Sequence, residues 1–225
     1  MVSENLERVR ERIAAAARAD GRNPAEVRLI CVTKGVSVER IREVVAAGVR
    51  EIGENRVQEA QEKRENIGTG VSSLRWHLIG RLQRNKAKLA AGLFDVIHSV
   101  DSPELIETLD RFERKLEVLI QVNVSGESAK GGCWPEEAAA LAEAILRLKH
   151  LRWTGLMTMA PFSENPEDAR PVFRQLRELR DGFQKRFSRP ALDLSMGMSG
   201  DFEVAVQEGA TLVRIGTAIF GERVA

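Results

Sequence analysis

At 225 residues and 25.0 kDa the chain is long enough for one substantial hydrophobic core, arranged as one domain or two. With 43% hydrophobic and 30% charged residues it has the make-up of a globular protein. Thirty-four basic against 33 acidic side chains leave a formal net charge of +1, so no global field draws nucleic acid or an anionic membrane. No run approaches the roughly 20 apolar residues that span a bilayer. The opening MVSENLERVRERIAAAARAD is charged throughout, unlike a signal peptide, and the expected address is cytoplasmic.

In chain order, residues 4–19 carry Leu6, Val9 and Ile13 at helical spacing, with Gly21 and Pro24 closing the segment. Strand-like runs then fall at 27–32, 51–52, 76–79, 96–100, 118–124, 151–159, 192–194 and 211–215. Helix patterns lie between them at 38–46, 56–65, 84–90, 103–112, 135–148, 166–187 and 202–208. Ser102 before Pro103 and Asn165 before Pro166 have the pairing of a helix start, while Gly48 and Gly209 follow helices where a left-handed residue is favoured. Strands alternating with helices predict an α/β fold, a single (β/α)8 TIM barrel with an extra N-terminal helix, and an open doubly wound sheet is the rival. No linker or repeat breaks the pattern, so residues 1–225 are expected to form one domain, with no second domain after the last strand.

Cys31 sits in an apolar strand and reads as core, and Cys133 lies in a distant loop, so no disulfide framework is expected. His77, His98 and His150 fall at no metal-ligand spacing, and no metal is assigned. GxSxG, HExxH, GxxxxGK and GxGxxG are all absent, which removes the common hydrolase, zincin, Walker and dinucleotide readings.

In a barrel of this kind the site collects at the carboxyl ends of the strands. Those ends would deliver Lys34, Glu54, Asn55, His77, Gly80, Asn123, Ser125, Met157, Thr158, Ser195 to Ser199, and Arg214 to Thr217. Ser195, Gly197 and Ser199, with Gly216 and Thr217, make two small-residue clusters around a short helix. Glycine admits close backbone approach, and hydroxyls and N–H groups bind an anion, so a phosphorylated ligand is the first guess. The same residue types also make ordinary strand-to-helix turns.

The apolar run before Lys34 would carry its amine into a desolvated setting, suited to a Schiff base with an aldehyde. The plainer alternative is a lysine that snorkels and pairs with Glu54. An aldehyde and a phosphate on one small aromatic ring describe pyridoxal 5′-phosphate (PLP), with Arg214 available to its pyridine nitrogen. Lys130 reads as a solvated loop charge ahead of a transient cofactor site, and Lys86 as a helix-surface residue. His77 either stacks near the ring or is a satisfied strand-end histidine. Met157 and Met159 are expected to place at most one side chain inside the barrel, Met157 being core first and ligand contact second.

The segments CVTK, GENRVQEA, WHLIGRLQRNK, HSVDS, QVNVSGESAKGG, GLMTMAP and SMGMSGDFEVAVQEGATLVRIGTAIFG resemble the signatures of the YggS/PROSC family of pyridoxal phosphate homeostasis proteins, nearly end to end. That resemblance implies a barrel like the N-terminal domain of fold-type III alanine racemase, with PLP linked to Lys34. It also implies phosphate contacts from Ser199, Gly216 and Thr217, a ring-nitrogen contact from Arg214, and Asn55 and His77 along the ring. Where family members often read SKTKP, this chain has TKGVS, with Val36 in place of the second lysine.

A racemase of the resembled fold needs a second base, supplied there by a tyrosine, and this chain contains no tyrosine. A cation beside the pyridine nitrogen also weakens the ring as an electron sink. The leading expectation is a non-catalytic PLP carrier, a monomer, that passes the cofactor to apo-enzymes. The alternatives are an amino-acid racemase or related lyase with a base from His77, Cys31 or water, and a barrel binding some other phosphorylated metabolite.

Overall fold

Eight short strands, each followed by helical chain, close into a barrel in the order β1-β2-β3-β4-β5-β6-β7-β8, in which every neighbouring pair is parallel. This is a computed structural model, and it describes residues 2–68, 73–127 and 130–222. The strands are β1 Arg28–Val32, β2 Glu51–Glu54, β3 Arg75–Leu78, β4 Val96–Val100, β5 Leu116–Gln121, β6 Leu151–Met157, β7 Asp193–Ser195 and β8 Leu212–Ile215. The helices are α1 Val2–Ala19, α2 Val38–Ala46, α3 Val57–Ile67, α4 Ala87–Leu93, α5 Pro103–Asp110, α6 Ala138–Leu146, α7 Arg170–Arg186, α8 Phe202–Gln207 and α9 Thr217–Phe220. A parallel sheet wrapped by helices is buried on both faces, which explains strands such as β4, buried at all of its residues.

Helix α1 buries Leu6, Val9, Ile13 and Ala17 along one stripe and packs against α8, α9 and α2. Burial of each large aliphatic side chain there is worth about 1.5–3 kcal/mol. At the expected helix starts, Ser102 Oγ accepts the Leu105 N–H at 3.4 Å, and Asn165 Oδ1 accepts the Glu167 N–H at 3.3 Å. The chain from 166 does not run straight into a long α-helix. Pro171 lacks an N–H, so Pro166–Ala169 forms a separate 3₁₀ turn before α7. Arg84–Lys86 is also a 3₁₀ turn, leading into α4. Helix α9, four residues long, is too short to leave a periodic signal in the sequence.

Alternate residues of each strand point inward. Ile30, Val96, Leu119, Met157 and Leu212 form an apolar cluster separate from the main helix-facing core, and Met159 packs against it. Met157 and Met159 therefore share a side, contrary to the expectation above, because residues two apart in a strand face the same way. At the amino end the barrel is plugged by ion pairs. Arg28 reaches Asp193 at 2.6 Å and Glu51 at 3.5 Å, and Arg75 pairs with Glu117.

Backbones approach closely where β6 passes β7: a Cβ at Gly155 would lie 2.2 Å from the Asp193 carbonyl oxygen. Gly182, by contrast, is an exposed residue of α7 with open space around it. Gly155→Ala is expected to lower the thermal midpoint sharply, whereas Gly182→Ala should stabilise by about 0.5–1 kcal/mol. Thermal unfolding of the two variants beside the parent checks both signs.

Candidate cofactor-binding site

Lys34 follows β1 in the turn Thr33–Gly35, and a buried polar cluster holds that turn from beneath. Lys63 of α3 donates to the Thr33 carbonyl at 2.5 Å, to Glu54 at 2.7 Å and to Glu59 at 2.6 Å. Glu59 accepts the Gly35 N–H at 2.5 Å, and the Thr33 hydroxyl donates to Glu54 at 2.5 Å. Glu54 is fully buried, and burial pushes its carboxyl above the usual range although Lys63 and Thr33 pull the other way. Burial acts on Glu59 in the same sense, but the bonds from Lys63 and Gly35 hold it below its ordinary value. Glu54 thus pairs with Lys63 and not with Lys34, and Lys34 is exposed, so the preceding apolar run does not desolvate its amine as expected.

Lys34 lines a cavity of about 340 Å³ at the carboxyl end of the barrel, together with Asn55, Lys130, Met159, Ser199, Gly200, Asp201, Arg214, Gly216 and Thr217. That size suits a small ring with polar substituents. The Ser199 hydroxyl accepts the Ala218 N–H at 3.2 Å, which fastens the loop after β7 to the start of α9. Asp201 Oδ1 accepts the Met198 N–H at 2.6 Å and closes the same loop. Burial raises the Asp201 carboxyl above its ordinary value, against the pull of that N–H and of Arg214. Asn55 lies where a Cβ at Gly80 would come within 2.2 Å of its carbonyl oxygen, so the glycine admits the backbone that presents it.

Arg214 is almost wholly buried. Its Nη1 donates to the Ser195 hydroxyl at 2.6 Å and its Nη2 to the Thr158 carbonyl at 2.9 Å. Burial pushes the guanidinium down to about 10, with Asp201 opposing, which still leaves it charged at neutral pH.

Of the nine residues singled out from the sequence, Lys34, Asn55, Ser199, Arg214, Gly216 and Thr217 line this cavity. His77, Met157 and Ser195 do not. They are buried deeper along the barrel axis, Met157 among aliphatic side chains, His77 against His98, and Ser195 between His98 and Arg214. Cys31 is also fully buried away from the cavity, and burial pushes its thiol up to about 12. Lys130, read as a solvated loop charge, is half-buried and stands in the lining, while Ser128 and Ala129 of its segment lie outside the described residues. Sequence reasoning missed Asp201, His98 and the Glu54–Lys63–Glu59 cluster. Asp201 stands three residues after Met198 in a turn, and Glu59 and Lys63 stand four apart on α3, spacings that could have flagged both pairs, whereas His98 and its partners come from separate strands. A larger groove of about 780 Å³ lies at the opposite end of the barrel, lined by residues such as Lys115, Glu117, Lys149 and Trp153, but none of the strand-end residues above reaches it.

The fold and the cavity define a (β/α)8 barrel whose mouth brings together a lysine, a buried arginine and a cluster of small and hydroxyl residues. The chain matches the family described as alanine racemase, N-terminal domain, over residues 4–224. It is 48% identical over 224 residues to the pyridoxal phosphate homeostasis protein of Aquifex aeolicus (strain VF5), covering 98% of this chain and 97% of that one. The solved structure of PipY of Synechococcus elongatus PCC7942 with PLP bound is 38% identical, with a TM-score of 0.85 over 98% of this chain and 100% of that chain. Alanine racemase of Clostridium difficile 630 shares the fold at 15% identity, with a TM-score of 0.74 over 100% of this chain and 57% of that chain. The chain belongs to the alanine racemase N-terminal domain family and, within it, to the pyridoxal phosphate homeostasis proteins.

Lys63→Met leaves Glu54 and Glu59 without their shared cation and should destabilise the protein by about 3–5 kcal/mol, as read by denaturant unfolding. An unchanged midpoint would show that the cluster does not hold the turn. His77 and His98 are both held below their ordinary value, chiefly by burial, so the fold keeps them neutral while the unfolded chain takes up protons. Stability is therefore full above about pH 6.5 and falls as the pH drops below it. The slope of the thermal midpoint against pH between 7 and 5 should be shallower in His98→Asn.

Proposed function

We propose that this chain binds pyridoxal 5′-phosphate at the barrel mouth and holds it reversibly, serving supply of the cofactor and not turnover of a substrate. Lys34 is the covalent anchor, and Ser199, Gly216 and Thr217 receive the phosphate. Arg214 faces the ring nitrogen and Asn55 the ring edge. When bound, the cofactor supplies an aldehyde that condenses with a primary amine. The observation that carries this reading is the convergence of one exposed amine, one buried guanidinium and one hydroxyl cluster on a cavity of ring size. The relatives named as pyridoxal phosphate homeostasis proteins and the PLP bound in PipY support the same ligand.

The chain's own residues divide the work. The Lys63 cluster fixes the Lys34 turn, so the amine approaches the cavity from a backbone that does not swing. Ser199, tied to the start of α9, presents its hydroxyl beside the backbone of Gly216 and Thr217. Arg214, charged and able only to donate, favours an unprotonated ring nitrogen as its partner.

A two-base reaction needs a second proton-transfer group across from Lys34. Among the described residues the ionisable side chains lining the cavity are Lys34, Lys130, Asp201 and Arg214, with no histidine or cysteine. Asp201 is engaged with the Met198 N–H. With no histidine or cysteine in the lining and Asp201 tied into its loop, this supports a holding role over racemisation, with Lys130 the group that a racemase would have to use as its second base.

Borohydride reduction of PLP-loaded protein followed by peptide mapping should locate the pyridoxyl group on Lys34, and Lys34→Ala should lose the bound-cofactor absorbance. A Lys34→Ala protein that stayed fully loaded after desalting would refute the anchor. With a panel of L- and D-amino acids, the purified protein should give no racemisation above free PLP, and measurable turnover would favour the racemase reading.

A further inference from the structure

The mouth residue Arg214 is the first member of a buried polar column that runs down the barrel axis. Its Nη1 donates to Ser195 Oγ at 2.6 Å, and Ser195 Oγ lies 2.9 Å from His98 Nδ1. His98 Nε2 lies 2.9 Å from His77 Nδ1, and His77 Nε2 comes within 3.2 Å of Glu51 Oε2. The last link is an electrostatic contact and not an aligned hydrogen bond. Glu51 in turn meets Arg28 in the ion-pair ring at the amino end. Ser195 and His98 are fully buried, and His77 is nearly so.

The chemistry of the two ends gives this column one direction. A guanidinium has no acceptor, so Arg214 can only donate to Ser195. The Ser195 hydroxyl must then place its own hydrogen, and His98 Nδ1 is the remaining partner within reach. His98 Nδ1 is therefore an acceptor and its proton sits on Nε2, pointing to His77 Nδ1. His77 accepts there and carries its proton on Nε2, toward Glu51, which as a carboxylate can only accept. Burial keeps both imidazoles neutral, as this order requires. The opposite order would aim a His98 N–H at Ser195 and leave the serine hydrogen without an acceptor in a dry interior, at a cost of about 1–3 kcal/mol.

We propose that His98, acting through Ser195, is the positioning residue for Arg214, holding the guanidinium in the one orientation that offers its free N–H to the cofactor ring nitrogen. The inference rests on the PLP-binding reading above. His98 is not among the residues that line the cavity. Removing its acceptor frees the Ser195 hydrogen to compete for the site that Arg214 occupies, and the guanidinium loses its fixed plane.

The test compares binding of PLP with binding of its carbocyclic analogue, in which a C–H replaces the ring nitrogen, by fluorescence titration of the full chain. Wild type should favour PLP. His98→Leu should weaken PLP about tenfold, or about 1.4 kcal/mol, and leave the analogue within about twofold. His98→Asn, whose side-chain oxygen can stand in for Nδ1, should recover most of the loss and keeps the test open if the leucine variant folds poorly. In a Ser195→Ala background, His98→Leu should add little, because the route is already cut. Equal weakening of both ligands, or full additivity with Ser195→Ala, would mean that His98 is merely structural and would overturn the proposal. Wild type that bound both ligands alike would instead refute the Arg214 contact with the ring nitrogen, while peptide mapping of Lys34 judges cofactor binding independently.

Discussion

A charged guanidinium inside a barrel must find an acceptor for each N–H it does not offer to a ligand, and the polar interior of this protein follows from that requirement at Arg214. A strand-eight arginine with about 4% exposure cannot be left to water. The Thr158 carbonyl and the Ser195 hydroxyl take two of its bonds, and the second of these draws His98, His77 and Glu51 into line behind it. Unpaired buried charges cost far more than the net gain of any single hydrogen bond, so the column is under a strong constraint to stay complete. The arginine is consequently a rigid feature of the mouth and not a side chain that searches for its ligand.

The Lys34 turn is fixed by different means. Its cluster lies beneath the turn and outside the barrel axis, built from Glu54 at the end of β2 and from Glu59 and Lys63 on α3. Two carboxylates and one ammonium share the site with the Thr33 carbonyl and the Gly35 N–H. Lys63 thereby serves the backbone, leaving the Lys34 amine unpaired with Glu54 at the cavity that Lys130 also lines. The mouth is held by two independent scaffolds, one axial and neutral in its middle links, the other peripheral and ionic. Their differing burial and chemistry make them separable by pH and by substitution.

Much of the fold was legible. Eight strand runs separated by helix patterns appear in the order the sequence implies, because a parallel barrel buries both faces of each strand and writes that burial as short, mostly apolar runs. Boundaries slipped where local chemistry overrode periodicity, as at Pro171, or where an element was only four residues long, as at α9. Six of the nine singled-out residues line the mouth cavity, since a strand end followed by a turn is visible in one dimension. His77, Met157 and Ser195 stand near strand ends as well, but their side chains are set below the mouth by the tilt and stagger of the closed barrel.

The sequence by itself determined the barrel, the lysine after its first strand, and the hydroxyl and glycine residues around its last two, because each of these is a matter of local order and spacing. Only the tertiary structure decided that Lys63 and not Lys34 answers Glu54, that Lys130 lines the mouth, and that His77 and His98 sit behind Arg214. The axial contacts join different strands, and closure of the sheet brings them within hydrogen-bond reach, while Glu54 meets Lys63 where α3 folds back along β2.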